Sequence, residues 1–187
     1  MREGERHREV ELRTLTGFDE EELGGLASAP PSAWADAFLA RSVIRIGALR
    51  DPGASVLSEL IVGDRETLLF ASRRLHFGET LECVVRCPAA MCATDSSLEF
   101  ALTPFLSVLE EQSPVEFLVP ELGPDRRFRL ATVADVAAVL PLAARDPTAA
   151  ARSLCARCAC SGCATDLDER SVELVARRMS ELDPRAE

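Results

Sequence analysis

The chain has little of what acid–base catalysis needs. Its 187 residues include no tyrosine, one tryptophan and two histidines. His7 lies in a polar N-terminal stretch and His76 at the end of a predicted helix, where solvated or capping roles are expected. The motifs G-x-S-x-G, H-E-x-x-H and the phosphate-binding P-loop are all missing. The sequence therefore predicts no catalytic residues and a protein that is not an enzyme.

Basic residues and long apolar runs are also scarce. Lys and Arg number 21 against 31 Asp and Glu, a net charge of -10 that disfavours nucleic acids and acidic membrane surfaces as partners. The most apolar window, "ATVADVAAVLPLAA", is too short to span a bilayer and contains Asp135 and Pro141. The N-terminus "MREGERHREVEL" is charged from its second residue and has no apolar core typical of a signal peptide. We therefore expect a cytoplasmic protein with no membrane insertion.

The residues that are present predict helices at both ends of the chain. Apolar residues make up 47% and charged residues 28%, which is typical of a folded globular protein. Helix starts are predicted at Thr16 with Asp19, Ser32, Asp64, Thr132 with Asp135, Asp146 with Pro147, and Asp166 with Glu169. The buried face of the helix after Thr132 is expected to carry Val133, Val136, Ala137 and Leu140. No tandem repeat is evident from the sequence.

The middle of the chain alternates with the period of two that is typical of strands. Leu81, Cys83 and Val85 belong to one such run and Leu98, Phe100 and Leu102 to the next, with "CPAAMCATDS" as the turn between them. "VEFLVP" and "RRFRLA" predict a second hairpin, and "EVELRTL" a short strand. The predicted fold class is therefore α+β, mostly helical, with a small antiparallel β-hairpin sheet that carries a degenerate zinc-knuckle-like turn.

The domain prediction is a polar N-terminal segment, 1–15, followed by one α+β domain, 16–187. Within that domain we expect a helical part over 16–78. Hairpins with a cysteine turn should follow over 79–130. The C-terminal helices and a second cysteine cluster are then expected over 131–187.

Seven cysteines are the most unusual feature of the composition, and all of them fall in two short stretches, 83–92 and 155–163. An odd number of closely spaced cysteines indicates reduced thiols or metal ligation rather than a disulfide framework. Cys83 shares the apolar face of its predicted strand, so we expect it to fill a core. Cys155 and Cys158 complete a helical stripe, so packing alone would explain them.

The other four cysteines have the spacing of zinc ligands. Cys87 and Cys92 flank "PAAM" at a strand end, and Cys160 and Cys163 form "CSGC". One hypothesis is that Cys87 and Cys92 share a structural zinc ion with two cysteines of the 155–163 cluster. Another is that Cys155, Cys158, Cys160 and Cys163 bind a metal by themselves. A thioredoxin-like role is disfavoured because "CARC" falls at a helix C-terminus. An iron–sulfur cluster is disfavoured because the cysteine spacing fits no ferredoxin pattern.

Residues 60–92, "LIVGDRETLLFASRRLHFGETLECVVRCPAAMC", resemble a known family. They are similar to the T-even-phage-type baseplate proteins of contractile phage tails and extracellular contractile injection systems. These share a "GDRE" helix start, an "RRL-x-FG" helix end and a strand that runs into a "CPxCG" turn. The matching positions are Gly63, Asp64, Arg65, Glu66, Arg73, Arg74, Leu75, Phe77, Gly78, Cys87 and Pro88. The turn here is longer than that of the family and has no glycine after its second cysteine.

The resemblance extends more loosely to "ELRTLTGFDEEEL", "RRFRLATVADV" and "ELVARRMSELDP". It implies a structural or assembly role in a baseplate, a zinc-binding turn, and other baseplate or tail subunits as partners. The alternatives are a cytoplasmic zinc-binding adaptor or regulator unrelated to a tail, and a thiol-redox protein. Genes for sheath, tube and baseplate proteins next to the gene of this protein would favour the baseplate interpretation.

Overall fold

The computed structural model of the chain describes residues 9–89, 91–107, 114, 116–160 and 167–186. Its α-helices are α1 (Gly17–Gly24), α2 (Pro31–Ser42), α3 (Ala54–Ser58), α4 (Val62–Phe77), α5 (Thr103–Ser107), α6 (Val133–Ala143), α7 (Pro147–Cys158) and α8 (Glu169–Leu182). Its strands are β1 (Val10–Leu12), β2 (Val43–Ile46), β3 (Leu49–Arg50), β4 (Thr80–Arg86), β5 (Asp95–Ala101), β6 (Phe117–Leu118) and β7 (Arg127–Phe128). The predicted mostly helical α+β class is confirmed.

All strand pairs in the described part of the chain are antiparallel. The two predicted hairpins, β4–β5 and β6–β7, are both present. A third sheet of order β1-β2-β3 was not predicted, and it places two strands in the part of the chain expected to be helical. Its strand β2 follows α2 without an intervening glycine or proline, so no local residue marks the change from helix to strand.

The buried apolar residues form two separate clusters. Core 1 lies in the first half of the chain and contains Leu23, Phe38, Leu39, Val43, Ile46, Leu57 and Leu68. Core 2 lies in the second half and contains Phe117, Val119, Phe128, Leu130, Cys155, Leu167 and Val175. None of the residues of β4 and β5 belongs to either cluster. The β4–β5 hairpin therefore stands apart from both cores.

A strand–helix–helix unit of the same kind contributes to each core, although the two copies are not in tandem. In each, a strand leads through the spacing R-x-x-T-x-x-D into a helix, and a second helix begins with proline. Each residue of the second copy lies 116 positions after its counterpart, as the pairs Arg13/Arg129, Thr16/Thr132, Asp19/Asp135, Pro31/Pro147 and Ser42/Cys158 show. Few other residues match between the copies, which is why the repeat is hard to see in the sequence.

The two copies share their hydrogen bonds in addition to their residue spacing. Both Thr–Asp pairs form the predicted capping box. The amide of Arg13 donates to Ser42 O (2.8 Å), and the amide of Arg129 donates to Cys158 O (2.9 Å). The next residues then pair across the strands, Leu12 with Val43 and Phe128 with Ala159. We call these two units module 1 (residues 10–46) and module 2 (residues 127–160).

The two modules are linked through the N-terminus of α4, a helix outside both of them that contributes Leu68 to core 1. Val62 N donates to Ala131 O (3.1 Å), and Val133 N donates to Leu60 O (3.0 Å). The buried carboxylate of Asp183, which ends α8, accepts from the amide of Gly63 (2.9 Å). These contacts, which we call the junction, satisfy helix-end amides that would otherwise be unpaired.

Three predicted details differ from the structure. Asp64 does not cap α4, because the helix begins two residues earlier at Val62 with Ile61 as its N-cap. Asp168, rather than Asp166, caps α8, and Asp166 lies outside the described residues. The buried face of α6 is also rotated from the expected one. Asp135 and Val139 are buried, whereas Ala137 and Leu140 are exposed, because module 2 packs around the Asp135 carboxylate.

Candidate functional site

The candidate site is the β4–β5 hairpin with its cysteine tip. Its seven residue pairs run from Thr80 opposite Ala101 to Arg86 opposite Asp95. At its base, Leu102 is completely buried, and the ring of Phe105 stacks on Phe70 of α4 with 5.6 Å between centroids. The hairpin is thus anchored at one end and extends away from the rest of the molecule at the other.

One face of the hairpin is apolar and only partly covered. It carries Leu81 and Cys83, which are half-buried, together with Val85, Leu98 and Phe100, which are 48%, 42% and 40% exposed. The predicted alternation is therefore correct, but Cys83 does not fill a core, because the face on which it lies packs on neither cluster. An apolar sheet face left this open is typical of a surface that another molecule covers.

The tip of the hairpin brings Cys87 and Cys92 together. The amide of Cys87 donates to Thr94 O (2.9 Å), which continues the ladder of β4 and β5 beyond its last pair. The amide of Cys92 donates to Ala89 O (2.9 Å), and its sulfur lies 3.3 Å from Thr94 Oγ1. Ala93 has a φ of 46°, the left-handed conformation that glycine adopts most easily. The chain therefore makes a knuckle-like turn with alanine in a glycine-type position.

The environment of the tip favours a thiolate at Cys92. Hydrogen bonding of the Cys92 sulfur with Thr94, through its side chain and its backbone, and with the Cys87 thiol lowers the pKa of Cys92 below its usual value. Cys92 is exposed and Cys87 is half-buried, and neither is in a disulfide. The tip thus presents two adjacent reduced thiols, of which Cys92 is the more accessible.

Cys155 and Cys158 have the opposite environment. Both are buried in module 2, and burial raises the pKa of Cys155 to about 11 and that of Cys158 to about 12. They occupy the positions that Leu39 and Ser42 hold in module 1, where no metal ligand is present. These features favour the packing interpretation of the two cysteines, which remain thiols at neutral pH.

The structure does not bring together the five candidate ligands that it describes. No group of three or more His, Cys, Asp or Glu side chains is placed to hold a metal ion in the part of the chain that the structure describes. Cys160 donates its amide to Arg127 O (3.0 Å), and Cys163 lies outside the described residues. The tip alone supplies two thiol ligands, half of a tetrahedral zinc site. The zinc site therefore stays a prediction.

Two features of the molecule were missed in the sequence, the junction and the paired Arg–Asp contacts of the modules. Asp19 and Asp135 each receive two hydrogen bonds from an arginine six residues earlier. The recurrence of R-x-x-T-x-x-D could have indicated these contacts. Nothing local could have indicated the bond between Gly63 and Asp183, because the two residues lie 120 positions apart.

The described part of the chain has no helix with both the length and the apolar character needed to cross a membrane. Comparisons with protein-family models, with curated proteins and with solved structures returned no match.

Proposed function

We propose that this protein is a structural or assembly component of the baseplate of a contractile, phage-tail-like particle. It acts by docking on other baseplate or tail subunits in the cytoplasm, where the particle assembles, and it has no catalytic function. The observation that carries the proposal is the β4–β5 hairpin, which holds a partly uncovered apolar face outside both cores. The family resemblance covers α4 and β4, the helix of the junction and the strand that leads to the tip.

A two-stranded hairpin is only marginally stable in water unless its apolar face packs on something. Full burial of one large apolar side chain stabilises by about 1.5–3 kcal/mol, so covering the exposed parts of Val85, Leu98 and Phe100 would contribute a few kcal/mol. A partner that covers this face would therefore stabilise the hairpin more than either core of its own chain does.

Zinc is the second part of the proposal. A structural ion at the tip would fix the shape of a hairpin that buries little apolar area alone. Cys87 and Cys92 would supply two thiolates, and the two remaining ligands are proposed to come from the 155–163 cluster, with Cys160 and Cys163 as the candidates because Cys155 and Cys158 are buried. Metal analysis of protein purified without chelator tests this, and less than about half an equivalent of zinc would reject it.

The docking role is tested by deleting the gene from the source organism and imaging its contractile particles by electron microscopy. We expect particles to be absent or to lack a baseplate, and the wild-type gene to restore them. A double variant, Leu98→Ser with Phe100→Ser, should fail to restore them although it folds. Val84→Ser is the matched control, since Val84 is 68% exposed on the opposite face of the same strand pair.

Normal particles in the deletion strain would overturn the proposal. So would full restoration by the double variant, because the apolar face would then not be needed for docking. Circular dichroism and thermal unfolding of both purified variants provide the check that they are folded.

A further inference from the structure

The two thiols of the hairpin tip form a pair that differs from the other described cysteines. Cys87 directly follows β4, and Cys92 lies three residues before β5, so the ends of an antiparallel strand pair hold them together. The backbone bonds from Cys87 N to Thr94 O and from Cys92 N to Ala89 O fix both residues in the turn. The two thiols therefore lie on one tight turn, five positions apart in the chain.

The thiols of Cys87 and Cys92 differ in their exposure to solvent, as a two-step thiol exchange requires. Cys92 is exposed and Cys87 is half-buried beside it. Cys83 belongs to the strand itself, where Leu98 lies opposite, and Cys155 and Cys158 are buried in module 2. Among these thiols, only Cys87 and Cys92 combine proximity with access.

We propose that Cys87 and Cys92 are a site of reversible oxidation, in which a small disulfide such as oxidised glutathione converts the two thiols to an intramolecular disulfide. The Cys92 thiolate attacks one sulfur of the glutathione disulfide, forms a mixed disulfide and releases one glutathione thiolate. The Cys87 thiolate then attacks the sulfur of Cys92 and releases the second glutathione. Two electrons pass from the protein to glutathione, and the two protons lost by the thiols are taken up by the released thiolates or by solvent.

Oxidation closes the tip covalently and removes both thiolates from metal binding, because a disulfide sulfur is not a thiolate ligand. The oxidised and zinc-bound forms of the tip are therefore mutually exclusive. The disulfide does not depend on the baseplate proposal, since it involves only this chain and glutathione.

The experiment uses the full chain, reduced, treated with chelator and repurified without oxygen. The protein is equilibrated in buffers of increasing oxidised-to-reduced glutathione ratio, quenched with acid, alkylated and digested with trypsin. Cys87 and Cys92 share the peptide 87–126, whereas Cys83 lies in the peptide 75–86 and serves as an internal control. We expect the peptide 87–126 to lose both alkylation sites together and its mass to fall by two hydrogens, while the peptide 75–86 stays alkylated.

Two variants test the order of the steps. Cys87→Ser should accumulate a stable glutathione adduct on Cys92, because the resolving thiol is missing. Cys92→Ser should be modified several-fold more slowly, because only the half-buried Cys87 remains at the tip. Cys83→Ser should form the disulfide as the wild type does. The proposal is overturned if both thiols stay alkylatable at every ratio, if Cys92 pairs with Cys83, or if only disulfides between molecules form.

Discussion

Gly63, near the start of α4, has no room for a side chain. A β-carbon built at this position would lie 1.7 Å from Asp183 Oδ1, so no other residue fits while Asp183 caps α4. Thr67 adds a second contact, since its hydroxyl donates to Gly63 O and accepts from Arg185. The glycine of the "GDRE" stretch, which carries the family resemblance, is therefore required by the junction between the modules. This glycine provides space for a carboxylate 120 positions away.

The first prediction is that Gly63→Ala destabilises the protein by about 2–4 kcal/mol, because it expels the Asp183 carboxylate from a buried hydrogen bond. Gly24→Ala is the control, since nothing lies within 4 Å of its β-carbon, and it should change stability by less than about 1 kcal/mol. Urea unfolding measures both. In an Asp183→Ala background the cost of Gly63→Ala should fall strongly, and an unchanged cost would show that Asp183 is not the obstacle.

Cys158 gives a second prediction at this scale. Its counterpart Ser42 is equally buried and donates its hydroxyl to Phe38 O at 3.0 Å, one helical turn back. A serine at position 158 can make the same kind of bond to Leu154 O, so Cys158→Ser should cost about 1 kcal/mol or less. The zinc content of the Cys158→Ser variant should equal that of the wild type. A loss of bound zinc with an intact fold would instead identify Cys158 as a ligand.

At the scale of elements, the start of α6 depends on one carboxylate. Asp135 accepts from Arg129 and Arg157 and closes the capping box with Thr132. Burial by itself would raise the pKa of Asp135, but the hydrogen bonds from Arg129 and Thr132 outweigh it and set the pKa at about 2. Asp19, at the start of α1, has its pKa lowered by Arg13 and Thr16 in the same way.

The third prediction concerns acid. Because the pKa of Asp135 is about 2 in the folded chain and about 3.9 in the unfolded chain, its ionised form stabilises the fold above pH 4. That contribution, about 2 kcal/mol, is lost as the pH falls from 4 to 2. In urea unfolding, Asp135→Asn should be less stable than the wild type at pH 6, and the difference should shrink towards pH 2.5. The control Asp51→Asn should show no such convergence, and a constant difference for Asp135→Asn would contradict the assignment.

Elements whose causes are local were predictable, and elements whose causes are distant were not. The capping boxes at Thr16 and Thr132 and the start at Asp146 follow from side chains that bond within three residues. The true start of α4 depends on Asp183, and β2 depends on β1, which lies some thirty positions earlier. The hairpin and its cysteine turn could be predicted from alternation. The exposure of its apolar face could not, because the pattern does not show what covers a face.

At the scale of the whole molecule, two similar modules are joined at one junction, and the hairpin lies between them in sequence. The duplicated spacing accounts for part of each core, since each strand–helix–helix unit contributes buried apolar residues to one of them, such as Leu39 to core 1 and Cys155 to core 2. The hairpin belongs to neither copy, and it carries the exposed apolar face and the thiol pair. The scaffold and the proposed docking surface are thus different parts of the chain, which allows one to change without the other.

The final prediction concerns the junction. We expect the two cores to unfold together only while the Asp183 carboxylate accepts the hydrogen bond from the Gly63 amide of α4. In the wild type, amide hydrogen exchange at Leu68 in core 1 and Val175 in core 2 should report a similar opening free energy. Asp183→Ala should separate the two values by more than about 1 kcal/mol, because core 2 loses its bond to α4. Asp146→Ala is the control, since it removes a helix cap of about 1 kcal/mol inside module 2 and leaves the junction intact. If the cores of Asp183→Ala still open with equal free energies, some other contact couples the modules, and the pairing of Leu60 and Val62 with residues 131–133 becomes the principal link.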